Sequence, residues 1–112
     1  MSQNSVDIKI VSDDRRAMSK LIDGKEYRSG ESSKEFEDGS ELVYEGTQIQ
    51  KGVGGPEIIE FSLYLGQTAV EGLATHYIIN RLKEVDFRII IEGEEMEPNE
   101  ETIQSKLEEF KE

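Results

Sequence analysis

The chain has 112 residues, 35% of them hydrophobic and 34% charged, with a formal net charge of −12. That length gives a single domain over residues 1–112 with a modest core, and the charge argues against a nucleic-acid partner held by phosphate neutralisation. The absence of Cys excludes disulfides and thiolate metal sites, and the start MSQNSVDIKI lacks the basic and apolar regions of a signal peptide, so a cytoplasmic location is expected.

Val6, Ile8 and Ile10 alternate with Asp7 and Lys9, which predicts a half-buried strand. Ser12 or Asp13 then caps a short helix from Asp14 to Ile22, with Ala17, Met18, Leu21 and Ile22 on its apolar face and Gly24 as its stop. Residues 25–55 form a polar hairpin or loop region. Within it Asp38-Gly39 is a turn, Glu41 to Glu45 a short strand, and Phe36 sits on the partner of that strand. Gly52, Gly54 and Gly55 read as a hinge. An anion cradle would need the Lys and Ser/Thr of a P-loop, and Glu57 and Glu60 would repel the anion.

The segment from 57 to 83 reads as one long helix. Pro56 suits its first turn, Glu57 and Glu60 its positive end, and Arg81 and Lys83 its negative end. Apolar residues spread around much of its circumference, so it should touch two surfaces. Ser62, Gly66, Ala69 and Gly72 fall at helical spacings and form a small-residue strip, where backbones approach closely. Either a sheet crosses there within one subunit, or a second copy packs there to give a homo-oligomer. The scarcity of core residues adds to the second reading. A membrane span from Phe61 to Ile79 is rejected, because Gln67, Glu71 and His76 fall inside it.

Val85, Phe87, Ile89 and Ile91 alternate with charged residues and give the clearest strand, followed by a turn at Gly93-Glu94. The last helix covers 99–111. Asn99 is its N-cap, Glu100 and Glu101 its first turn, and Ile103, Leu107 and Phe110 its buried stripe. Residues 92–112 hold nine Glu and two Lys, so the exposed side of this helix is strongly acidic. The fold class is α+β, two-layered, with a small, mostly antiparallel sheet packed by one long helix and two short ones.

The stretches Val6–Val11, Asp13–Ile22, LYLGQTAVEGLATHYIINRLK and VDFRIIIEGEEMEPNEETIQSKLEEF follow one another in an order that resembles the effector-associated constant component domains of bacterial conflict and signalling systems. The likeness covers about two-thirds of the chain. It departs from the pattern in the longer, more polar 25–55 segment and in a central helix with less Gly. The resemblance implies a non-catalytic adaptor that couples a partner protein to an effector module, with no catalytic residues carried over.

The residues offer little chemistry of their own. His76 is the single His, which makes neither a triad nor a zinc site. Glu94, Glu95 and Glu97 lack the alternating ligands and central Gly of a calcium loop. The expectation is therefore no enzyme and no cofactor, but a module that binds another protein. Its candidate contact residues are Ser62, Gly66, Ala69 and Gly72, together with Glu100, Glu101, Glu108 and Glu109. Two alternatives stand beside it. One is an acidic inhibitor (nucleic-acid mimic, immunity or antitoxin protein) that meets a basic partner through those glutamates. The other is a small-ligand role for the Gly52–Gly55 loop and His76.

Overall fold

The computed structural model describes residues 5–14, 17–21, 33–37, 39–49, 56–65 and 72–110. The elements are β1 (Ser5–Ser12), α1 (Ala17–Leu21), β2 (Ser33–Glu35), β3 (Glu41–Ile49), β4 (Glu57–Tyr64), α2 (Leu73–Arg81), β5 (Arg88–Ile91), β6 (Glu94–Met96) and α3 (Glu100–Glu108). They form an α+β fold. The sheet has six strands in the order β2-β3-β4-β1-β5-β6, and every neighbouring pair is antiparallel.

Alternation in β1 does what the sequence predicts. Val6, Ile8 and Ile10 are fully buried, while Asp7 and Lys9 turn to the other face. The strand is central: Ile8 pairs with Phe61 of β4 on one side and with Ile91 of β5 on the other. The inward residues of β1, β4 and β5 form one core with Ala17 and Leu21 of α1, Ala74 and Ile78 of α2, and Ile103 and Leu107 of α3. All three helices thus cover the same face. The opposite face carries polar cross-strand contacts, with Lys9 3.9 Å from Glu60 and the Ser62 hydroxyl donating to Glu45 at 2.6 Å.

The single long helix over 57–83 is not formed. Residues 57–64 are strand β4, and the helix α2 begins only at Leu73. The burial of β4 alternates strictly: Ile59, Phe61 and Leu63 point into the core, and Ile58, Glu60, Ser62 and Tyr64 lie half-exposed on the other face. A period of two fits a strand, and β4 sits between β3 and β1, where its backbone groups are paired on both sides. Gly72, at φ 96°, stands at the N-cap of α2 in a conformation that cannot continue a right-handed helix. The small-residue strip therefore dissolves. Ser62 belongs to β4, Gly72 to the helix cap, and Gly66 and Ala69 lie outside the described residues. With it goes the homo-oligomer contact through a long helix.

Gly72→Leu should lower the folding stability. Open space surrounds the position, so crowding is not the issue. The positive φ is, and a side chain there costs roughly 1–2 kcal/mol. The urea midpoint should fall with an unchanged slope. An unchanged midpoint would contradict the assigned cap.

Of the helix expected over Asp14–Ile22, the described part is Ala17–Leu21; Asp14 is not helical, and residues 15, 16 and 22 lie outside the described residues. The Ser12 hydroxyl accepts from Asp14 N at 3.0 Å and donates to Asp86 O at 2.8 Å, turning the chain between β1 and α1. β3 extends to Ile49, and a bulge at Tyr44/Gly46 lets it follow β4. β5 starts at Arg88, and its turn into β6 uses Glu92 (φ 50°) and Gly93 (φ 82°), a pair of left-handed residues that closes a two-residue hairpin. The Asn99 side chain accepts from Thr102 N at 2.8 Å and caps α3 as predicted. The Gly52–Gly55 loop lies outside the described residues.

Lys106 ties α3 to β6. Its ammonium donates to Glu94 at 2.8 Å and lies 3.6 Å from Glu109. The hydrogen bond to Glu94 raises its pKa above the ordinary 10.5. The folded value exceeds the unfolded one, so this contribution is complete below the unfolded value and is lost as pH rises through the folded one. The melting-temperature gap between wild type and Lys106→Met should stay level from about pH 7 to about pH 9.5 and close above that range. A gap that widens with alkali would refute the assignment.

Candidate functional site

A groove of about 590 Å³ opens along the exposed side of α2. Four elements supply its cations: Lys20 from α1, Lys34 from β2, Arg81 from α2, and Lys83 from the turn after α2. Lys20 and Arg81 stand in the last turns of their helices, where the dipole favours positive charge. Lys34 lies opposite Leu42, whose side chain is in the core, so it points to the helical face rather than to the open face of the sheet.

The floor is aromatic. Phe36 and Tyr77 meet edge to face, with ring centroids 5.3 Å apart at 75°. Lys34 Nζ lies 5.5 Å from the centre of the Tyr77 ring and Arg81 Cζ 5.3 Å from it. The Tyr77 hydroxyl donates to the carbonyl of Leu21, a helix-end acceptor with no partner inside α1. This bond and the Phe36 contact anchor the ring, and both cations lie beside it. Leu73, His76, Asn80 and Glu84 complete the lining. The arrangement suits an anion with an apolar portion: the cations meet charge, and Phe36 and Leu73 meet carbon.

The candidate residues from sequence are scattered. Glu100, Glu101, Glu108 and Glu109 are all exposed on α3. Of these, Glu100 faces His76 Nδ1 at 3.0 Å, at the edge of the groove, and Glu109 approaches Lys106. Ser62 is on the opposite face of the sheet. Glu94 pairs with Lys106, Glu95 with Arg88 at 3.7 Å, and Glu97 accepts from Asn99. No group of three or more His, Cys, Asp or Glu among the described residues is placed to hold a metal ion. Among them, too, no helix is long and apolar enough to cross a membrane.

Sequence reasoning missed the groove. Its lysines stand far apart in the chain, and no local motif joins them. The local signals are short: Tyr77 with Arg81, a helical i, i+4 pair, and Lys34 with Phe36 two residues apart. No protein-family model, curated protein or solved structure matches the chain.

Proposed function

We propose that this chain is a non-catalytic protein-interaction module of the cytoplasm, and that the groove on α2 is its recognition surface for an acidic, partly apolar segment of a partner. One observation carries the reading: a chain of net charge −12 gathers Lys20, Lys34, Arg81 and Lys83 around one aromatic pair. Scattered surface lysines serve solubility. Cations assembled from four elements over a fixed aromatic floor serve an anionic ligand. The resemblance to effector-associated constant component domains supplies the setting, an adaptor that couples a partner to an effector in a bacterial conflict or signalling system.

The test is a titration of the isotopically labelled chain with a peptide of alternating Glu and Leu, read by amide shifts. Shifts should gather at residues 34–36 and 73–84. Shifts confined to α3 or to the outer face of the sheet would overturn the proposal.

A second reading keeps its own support, the exposure of Glu100, Glu101 and Glu108 on α3 and of Glu109 at its C-cap. It makes the chain an acidic inhibitor that occupies a basic partner surface. Salt-sensitive capture of an Arg-rich peptide, lost on reversing those four charges, would favour it over the groove.

A further inference from the structure

Lys20, Lys34 and Lys83 line the groove with no ion-pair partner among the described residues. Elsewhere the lysines and arginines of these residues find carboxylates: Lys9 has Glu60, Arg88 has Glu95, and Lys106 has Glu94. The chain has 25 acidic and 13 basic residues, yet among the described residues the three lysines without a carboxylate partner all line this one groove. Among the described lining residues, Glu84 is the one acid.

The heads of Lys34 and Arg81 both lie within 5.5 Å of the centre of one ring, and therefore within about twice that distance of each other. Both belong to the cluster of cations that lines the groove around that ring, and the summed field of such a cluster favours a bound anion. A carboxylate brings one charge and two oxygens. A phosphoryl group brings nearly two charges and three strong acceptors, so it can meet several of these cations at once. Phe36 and Leu73 leave an apolar wall beside the cations for the body that carries it.

We infer that the anion the groove is built for is a phosphoryl group on an aromatic side chain of the partner segment. This rests on the groove being the recognition surface proposed above, and it narrows the ligand from acidic to phosphorylated. The phosphate is recognised by Lys34, Lys83 and Lys20, with Arg81 alongside. The aromatic body lies against Phe36 and Leu73.

The labelled full-length chain is titrated separately with phenyl phosphate, benzoate and inorganic phosphate. Phenyl phosphate should move the amides of 34–36 and 73–84 and bind about tenfold more tightly than benzoate, with inorganic phosphate weaker than phenyl phosphate because it lacks the ring. Lys34→Gln and Lys83→Gln should each weaken phenyl phosphate about tenfold and benzoate by less. A Glu-phosphotyrosine-Leu peptide should bind more tightly than adenosine monophosphate. The nucleotide binding more tightly would overturn the assignment to a partner segment. Equal binding of phenyl phosphate and benzoate would overturn the phosphoryl preference and leave the acidic-segment reading intact, provided the Glu-Leu peptide still maps to the groove. If that peptide fails while phenyl phosphate succeeds, the broader reading falls and the phosphoryl site remains.

Discussion

Phe61→Ala should remove about 3–5 kcal/mol of folding stability, the largest loss expected from a single substitution in this chain. Phe61 is 1% exposed and lies on β4, between β3 and β1. Its ring meets Tyr44 edge to face at 6.0 Å, and its backbone pairs with Ile8 and Tyr44. Truncation leaves a cavity at the centre of the one core that all three helices share, so no neighbouring loop can collapse into it. Against a total of about 5–15 kcal/mol for a domain of ordinary stability, that is a large fraction. Urea denaturation followed by far-ultraviolet dichroism measures it. His76→Ala on the exposed side of α2 supplies the contrast and should stay within about 0.5 kcal/mol of wild type. A loss at Phe61 below about 1.5 kcal/mol would mean that the side chain does not fill the core as described.

Reversing two groove charges together, Lys34→Glu with Lys83→Glu, should lower affinity for the Glu-Leu peptide at least about a hundredfold. The reason is local. Each change removes an attraction and installs a repulsion at the rim of the same aromatic floor. Net charge alone would also weaken binding of an acidic peptide, so a matched control is needed. Lys9→Glu with Arg88→Glu makes the same change in net charge on the opposite face of the sheet, where those side chains meet Glu60 and Glu95. The control should lose only a few-fold, a long-range effect that salt screens. Equal losses in the two variants would show that the groove has no special part in binding. The folded fraction should remain high in both, since surface charge changes of this kind are mild for stability.

The parts of this fold that could be read from sequence were those with one clean period. β1 alternates, α3 has a cap and an i, i+4, i+7 stripe, and the return of β5 beside β1 follows from their matched apolar faces. Residues 57–64 mislead for a definite reason. Ile58 and Ile59 are adjacent and neither is exposed, because outward-facing Ile58 lies between Val11 and Gln48 of the neighbouring strands. That outward isoleucine blurs the period of two, and Pro56 with Glu57 and Glu60 imitates a helix start. The groove was illegible for another reason. Binding surfaces assembled from four elements have no sequence periodicity, and Lys20, Lys34 and Lys83 acquire meaning only once α1, β2 and α2 are packed. The exposed acidic side of α3 was legible, as a local composition on a single helix.

The position of β1 has a consequence for how the molecule assembles. The first strand made is the one at the middle of the sheet, and both of its neighbours, β4 and β5, arrive much later in synthesis. Hairpins β3–β4 and β5–β6 can close locally, but the seam that joins them waits for a distant segment to insert between them, which makes the slow step a non-local ring closure. Until β4 is made, Val6, Ile8 and Ile10 stay unpaired on a nascent chain, and a ribosome-bound product ending before Glu57 would present them to chaperones rather than to a finished core.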